Sequence, residues 1–536
     1  VGTSEPSLLP ERDELSALKE LNAAQTARIA ILEEQLRLAT LQRFAPKTEK
    51  LASLGDLAVF NEAEALAPQT DGAAETATEI TVPAHTRARG KRKPIDATLP
   101  RERIEHDIPE AQKICACGCQ LTRIGEVTSE QFDLQPARAF VKQHVRFKYA
   151  CRTCEGTSHD GKAVITAEMP KQPIPKSNAS PGFIAYITTA KYQDGIPLYR
   201  LEGILARHRI ELSRTTAASW MIKAGVLVTP LFDMLSATQL AYDVLQMDET
   251  TVQVLKEDGR SAVAEWATEA PPRKPDAKSY MWVRRSNETG KPIVLFDYMP
   301  SRGGAVPFRI LDGYKGYLQT DGYAGYDKSG ARDGVKHVGC LAHARRKFFE
   351  AVKAQHKVGG DGEKGLAPEA LLKIRKLYAI EKAAREAKMS PTQRHKLRQE
   401  QARPIWTELR TWLDSNLHAT PPQSLTGKAI NYLASEWPRL IRCLDDGRIE
   451  VDNNLVENAI RPFVMGRKAW LFSDTPRGAD ASAKLYSIIE TAKACGLEPY
   501  AYLKLIFEKL PQAETPADTA ALLPWAVKAA SAKPTR

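Results

Sequence analysis

The acids that could do chemistry in this chain stand at the ends of apolar runs. In Val244-Leu-Gln-Met-Asp248-Glu-Thr a carboxylate follows directly on a β-prone stretch, where an unpaired charge is expensive. In Tyr317-Leu-Gln-Thr-Asp321-Gly-Tyr a second such stretch ends in Asp, and Gly322 reads as the residue that lets the chain turn away. Taken singly, each is an ordinary turn-forming aspartate. Two adjacent strands that both end in acids can bring their carboxylates to a shared divalent cation. The third acid, Glu457, lies in Val451-Asp-Asn-Asn454-Leu-Val-Glu457-Asn-Ala-Ile-Arg461-Pro. There the spacing gives a helix start, with Asn454 as N-cap, Glu457 three residues on as in a capping box, and Arg461 at i+4 for an ion pair. The same Glu could instead supply a third ligand. Three carboxylates binding two Mg2+ ions would clamp a phosphodiester, one metal activating the attacking oxygen and the other stabilising the departing one. That chemistry is in-line phosphoryl transfer.

The cysteines make a second constellation. Of eight, five fall in one stretch, Cys115-Ala-Cys117-Gly-Cys119 followed by Cys151-x-x-Cys154. Two thiolates from each end would complete a tetrahedral, structural Zn2+ site, with two of the first three cysteines acting as ligands. Reduced, buried thiols are the other reading. Cys340, Cys443 and Cys495 are isolated and read as core residues; Cys340-x-x-His343 has only a naive likeness to half a zinc site, since no second pair accompanies it.

These groups need elements to position them. Tyr242–Leu255, Tyr280–Arg285, Ile293–Tyr298, Gly316–Thr320 and Val335–Cys340 are short β-prone runs, with a helical stretch at Gly304–Leu311 between the third and fourth. A helix follows at Leu341–Ala354. Residues 366–448 are charged and helical, and a last helical segment runs over 452–510. Upstream, Pro181 opens one helix, Leu198–His208 suggests a second, and Ser213 caps a third. Such helices form either a helix-turn-helix reader of DNA or plain packing units. Near the start, Leu15, Asn22, Ile29 and Leu36 with Leu18, Gln25, Leu32 and Ala39 repeat at heptad spacing, for a short coiled coil or for a helix packed on its own chain.

The charge balance favours a polyanionic partner. Lys and Arg number 76 against 65 Asp and Glu over 536 residues, a net charge of +11, and nucleic acid leads the candidates. Arg87, Arg89, Lys91, Arg92 and Lys93 fall together in an Ala-, Thr- and Pro-rich linker, either as a solvated tether or as a tracker of phosphates. His343, Arg345 and Arg346 open a helix after a strand, and Arg461, Arg467 and Lys468 follow Glu457; both groups could hold DNA backbone. No window approaches the roughly 18 apolar residues of a membrane span, and the first residues lack a signal peptide's basic start and apolar core, so a cytoplasmic protein is expected.

Taken in order, several segments resemble the bacterial insertion-sequence-66-type transposases: Gln246-Met-Asp248-Glu-Thr, Thr320-Asp321-Gly-Tyr, Cys340-Leu-Ala-His343-Ala-Arg345-Arg346-Lys-Phe and Asp452-Asn453-Asn454-Leu-Val-Glu457-Asn-Ala-Ile-Arg461-Pro. Arg43-Phe-Ala-Pro-Lys-Thr-Glu-Lys, Phe60-Asn-Glu-Ala-Glu, the cysteine region and Pro197-Leu-Tyr-Arg extend the likeness to residues 11–510, with Ala45 standing where the family usually has Gly. The resemblance implies a multidomain α/β and α protein whose mixed-sheet, RNase H-like catalytic core carries a DDE triad of Asp248, Asp321 and Glu457. It also implies cleavage and strand transfer of the element's own ends, with water and then the 3′-hydroxyl as nucleophiles. The expected partners are double-stranded DNA (terminal inverted repeats and target), further copies of the chain on that DNA, and small companion proteins of the element, in the bacterial cytoplasm at the nucleoid. The expected divisions are a helical or coiled-coil region at 11–66, a basic flexible linker at 67–98, a zinc-binding module at 99–170 and a helical DNA-binding region at 171–240. The core would occupy 241–355 and 451–510, split by a helical insertion at 356–450, with a flexible tail at 511–536. The alternatives are a noncatalytic zinc-containing DNA-binding regulator and an RNase H-like nuclease of another pathway.

Overall fold

Three apolar runs, Val244–Val252 (β3), Ser279–Ser286 (β4) and Ile293–Met299 (β5), fold into an antiparallel meander. Gly316–Gln319 (β6) then pairs parallel to β3, and Val335–Val338 (β7) pairs parallel to β6. The order is β5-β4-β3-β6-β7. The inner runs of β4 and β5 are almost wholly apolar because both faces of the sheet are covered. In this computed structural model, residues 9–44, 139–150, 164–166, 168–257, 278–356 and 365–531 are described. Lys148–Ala150 (β1) and Val164–Thr166 (β2) form a small antiparallel ribbon ahead of the main sheet. Residues 69–141, of which only 139–141 are described, make a unit of their own, and the rest makes another.

The helices follow the sequence signals closely. α1 is Leu9–Phe44. α2 (Pro181–Tyr192) starts behind the Ser180 cap with Pro at its first position, α3 is Leu198–Arg207, and Ser213 caps α4 (Arg214–Leu227) through the Thr216 N–H. α5 (Thr229–Leu240) leads into β3. α6 (Ala305–Ile310) and α7 (Leu341–His356) lie within and after the sheet. The insertion carries α8 (Leu366–Glu386), α9 (Pro391–Leu397), α10 (Arg403–Asn416) and α11 (Leu425–Leu440), with a π turn at Arg398–Ala402 between α9 and α10. α12 (Asn454–Trp470), α13 (Pro476–Ala494) and α14 (Pro499–Lys509) complete the core.

Two findings concern sequence expectations about packing. α4 buries Ala217, Trp220, Met221, Ala224 and Gly225, and a Cβ on Gly225 would lie 2.6 Å from that of Ala481 in α13, so this helix is a packing unit on the core whatever else it touches. α1 reaches its own chain: Glu34 accepts the Leu425 N–H at 2.9 Å, Gln35 donates to the Gln423 carbonyl at 3.2 Å, and Leu38 packs on the insertion. Its heptad residues Leu18, Ile29, Leu32 and Leu36 stay exposed.

The outer strand β5 would be an open edge, and α13 covers it. Ser487 Oγ accepts the Phe296 N–H at 2.8 Å, while Thr491 Oγ1 accepts from the Val294 N–H and donates to the Val294 carbonyl. The tail expected to be flexible from 511 is instead helical over Pro516–Ala520 (α15) and Pro524–Ser531 (α16), because Leu522 and Leu523 are buried in the core that α2–α5 share with α13 and α14. Ala- and Pro-rich composition concealed those two anchors. Among the described residues, no single helix is long and apolar enough to cross a membrane.

Candidate active site

β3, β6 and β7 run parallel, so their carboxyl ends open on one side of the sheet, where α/β sheets present functional groups. Gln246 of β3 lies in register with Gln319 of β6. Two residues further along each chain come Asp248 and Asp321. β7 ends three residues before α7, whose first turn carries His343.

The third acid arrives from the far side of the insertion and is tied down by backbone bonds. Gln246 Nε2 donates to Gln319 Oε1 at 2.8 Å and to the Asp452 carbonyl at 3.1 Å, while its Oε1 accepts the Val456 N–H at 3.2 Å. Asn453 Nδ2 donates to the Met247 carbonyl at 3.1 Å, and Arg285 donates to the Leu455 carbonyl at 2.9 Å. These bonds fix the first turn of α12, and Glu457 with it, over the end of β3. The capping-box explanation of Glu457 does not hold. The helix is capped at Asn453 without a side-chain bond, and Asn454 bonds Asp452 instead. Glu457 Oε1 is buried and has no hydrogen-bond partner among the described residues.

The electrostatics register the crowding. Burial pushes the Asp248 carboxyl well above the usual range, and the negative charges of Glu249, Glu457 and Asp321 push it further, against one hydrogen bond from the Glu249 N–H at 2.8 Å. Asp321 accepts the Tyr323 N–H at 3.0 Å. His343 Nδ1 stands 4.0 Å from Glu457 Oε1, and burial holds the imidazole below its ordinary pKa against the pull of Glu457. Glu249 projects to the opposite face of β3, where Arg302 pairs with it at 2.6 Å and the Tyr326 hydroxyl donates to it.

Gly322 has a role other than the one its position suggests. It does not sit at a positive φ; a Cβ there would lie 2.6 Å from the Tyr432 hydroxyl, so the glycine admits a tyrosine of the insertion beside Asp321.

The expected phosphate contacts divide. Arg346 and Lys468 are exposed, and Arg461 and His343 are partly so. Arg345 is only 7% exposed and lies over the Phe349 ring, and Arg467 commits its guanidinium to Thr250 and Thr251 of β3. Cys115, Cys117, Cys119, Cys151 and Cys154, like Arg87, Arg89, Lys91, Arg92 and Lys93, lie outside the described residues.

Sequence reasoning passed over Gln246, Gln319, Glu249 and Asp452. One signal for the glutamines was present: both strands read Leu-Gln-x-Asp, at Leu245–Asp248 and Leu318–Asp321, and a polar residue inside each apolar run needed a partner. Asp452 is pushed up to about 6, chiefly by burial, with hydrogen bonds from the Asn454 N–H and Tyr378 opposing and the charges of Glu450 and Glu457 adding to the rise. An acid whose folded pKa is raised contributes stability that is complete below its unfolded value, about 3.9, and is lost as pH climbs through the folded value. Without divalent cations, Asp452→Asn should therefore melt above wild type by a gap that opens above about pH 4, widens to about pH 6 and levels by about pH 7, worth at most about 3 kcal/mol in all. A gap independent of pH in a thermal melting series would refute this.

Comparison with known families gives four matches in chain order. The model described as "Transposase IS66 family" covers residues 176–481, and that for the "zinc-finger binding domain of transposase IS66" covers 112–155. "Transposase C of IS166 homeodomain" covers 31–104, and the "IS66 C-terminal element" covers 487–525. Among similar proteins of Sinorhizobium fredii (strain NBRC 101917 / NGR234), the uncharacterized protein y4qI is 30% identical over 98% of this chain and 94% of its own length. The uncharacterized protein y4jD is 31% identical over 80% and 82% respectively.

Proposed function

The chain belongs to the IS66 transposase family, and from that premise we propose that it cuts and joins the DNA ends of its own insertion sequence at Asp248, Asp321 and Glu457. The observation that carries the reading is the convergence of these acids: Asp248 sits recessed among like charges that include both of the others. A protein that used them only as caps would not need them together.

The donor set fits Mg2+. All three side chains offer hard carboxylate oxygens, and among the described residues Asp248 makes no ion pair and Glu457 Oε1 is buried without a hydrogen-bond partner. Bound there, two Mg2+ ions would activate the attacking oxygen and stabilise the leaving one. The chain's own groups do the positioning. Gln246 and Asn453 hold the Glu457 turn on β3, and the exposed Arg346 and Lys468 offer charge for backbone phosphates. The nucleophiles would be water in the cutting step and the freed 3′-hydroxyl in the joining step.

The surrounding architecture supports the same reading. The mixed sheet, with a helical segment inserted between its last strand and the helix bearing Glu457, agrees with an RNase H-like core at 241–355 and 451–510. The zinc-finger match spans all five clustered cysteines and supports a structural zinc; Cys151 and Cys154 with two of Cys115, Cys117 and Cys119 would be its ligands. DNA is the partner that the family's domains support. The exposed heptad residues of α1 offer a surface for a second copy on that DNA, and companion proteins of the element would act alongside.

The test is Mg2+-dependent nicking and joining of a duplex carrying the element's terminal inverted repeats, with wild type against Asp321→Ala. Wild type should nick and join, and the variant should bind the ends and do neither. A wild-type protein that binds without nicking would be a regulator, and one that nicks without joining would be another nuclease.

A further inference from the structure

Two buried atoms at the site face each other across a short gap. Among the described residues, neither His343 Nδ1 nor Glu457 Oε1 has a hydrogen-bond partner, and the two stand 4.0 Å apart. Buried polar atoms are almost always satisfied, so a facing pair of orphans needs an explanation. Four ångströms is too long for a direct N–H···O bond. It falls within the reach of one divalent cation, which holds an imidazole nitrogen or a carboxylate oxygen at about 2.0–2.2 Å, so that two donors on one ion stand about 3–4.2 Å apart.

The surroundings favour that use. The ligand atoms of Cys340, His343 and Glu457 all lie within 4.8 Å of one another. Cys340 Sγ already accepts the Asn453 N–H at 3.2 Å and the backbone N–H of His343, so the thiol closes one wall of the gap. The charge of Asp321 also acts on the His343 ring. His343 stands in the first turn of α7, which the end of β7 places beside β6, so its position is as rigid as that of the acids.

Resting on the phosphoryl-transfer reading of the site, we infer that His343 is a metal ligand, binding through Nδ1 the same divalent cation that Glu457 binds. The site is then a mixed nitrogen and oxygen site. Imidazole raises affinity for transition ions relative to hard cations, so Mn2+ and Co2+ bind more tightly here than Mg2+, and Ca2+ binds poorly.

The experiment uses the full-length protein and Mn2+ alone. Pulsed electron paramagnetic resonance of the bound ion should show nitrogen modulation, and uniform 15N-histidine labelling of the wild-type chain should change its frequency without any substitution. His343→Gln, checked for folding by circular dichroism, should lose the modulation and bind Mn2+ roughly 10-fold or more weakly. Mn2+ affinity should fall more than Mg2+ affinity. Mn2+ bound in an Asp321-dependent way but without histidine coupling, or coupling that survives His343→Gln, overturns the assignment and leaves the three-acid reading standing. Mn2+ binding that Asp321→Asn does not alter overturns both.

Discussion

Asp248→Asn should raise the melting temperature of the metal-free protein while lowering strand cleavage by roughly 10³-fold, the scale on which loss of one charge-stabilising group slows an enzyme. The stability half follows from the recess. The Asp248 carboxyl is buried among Glu249, Glu457 and Asp321, so its ionised form costs free energy in the folded state. Asn keeps the oxygen that accepts the Glu249 N–H and removes the charge. The two halves oppose each other, as expected where a fold holds a strained group for chemistry. Adding Mg2+ should stabilise wild type and leave the variant nearly unmoved, since a ligand stabilises only the state that binds it. Thermal melting with and without Mg2+, alongside a nicking assay and an end-binding assay, checks all of this. A variant that melts lower than wild type without metal, or that cleaves normally, would remove Asp248 from the proposed role.

Arg398→Met should destabilise the protein by about 3–5 kcal/mol, the usual cost of leaving half of a buried ion pair behind. Arg398 is fully buried in the π turn, with Nε 2.7 Å from Glu381 and its other nitrogens on the carbonyls of Cys443, Asp446 and Ile449. Arg394 also donates to Glu381, through Nε and Nη2, and reaches Glu450. Burial alone would raise the Glu381 carboxyl, yet the two guanidiniums hold it below the ordinary range. A depressed acid contributes stability above its unfolded value, about 4.3, and loses it as pH falls through the folded value, so the network should fail only in acid. Residues 443–450 lead directly to Asn453 and Glu457. Hydrogen exchange in the variant should therefore speed up first across 443–453, and cleavage should fall although Arg398 touches no acid of the site. Uniform exchange across the chain would show the network to be ordinary core.

Much of this arrangement was legible in the residues. The strands, the helical insertion and the caps at Ser180 and Ser213 follow from local patterning, because period, Pro at the first helical turn and side-chain capping are short-range causes. The three acids could be singled out as candidates by type and position. Their fastening was not. Gln246 bonds atoms from β6 and from the chain entering α12, and no local rule pairs a glutamine with a carbonyl over 200 positions away. Glu457 illustrates the same limit, since its spacing from Asn454 suits a cap, and only the Asn454–Asp452 bond shows that the cap is made otherwise. The tail failed for a related reason: two buried leucines outweigh twenty residues of linker-like composition.

Pinning Glu457 to β3 by Gln246 and Asn453 has a consequence for synthesis on the ribosome. The two aspartates and the zinc-finger segment leave the exit tunnel well before residue 457, and the turn that bears the glutamate cannot dock until it too has emerged. On the proposed function, a growing polypeptide would therefore carry both aspartates before it could complete the set of three acids. Termination before Asn454 would also remove α13, which covers β5 and packs on α4, so such a species would lack part of its core as well as the glutamate.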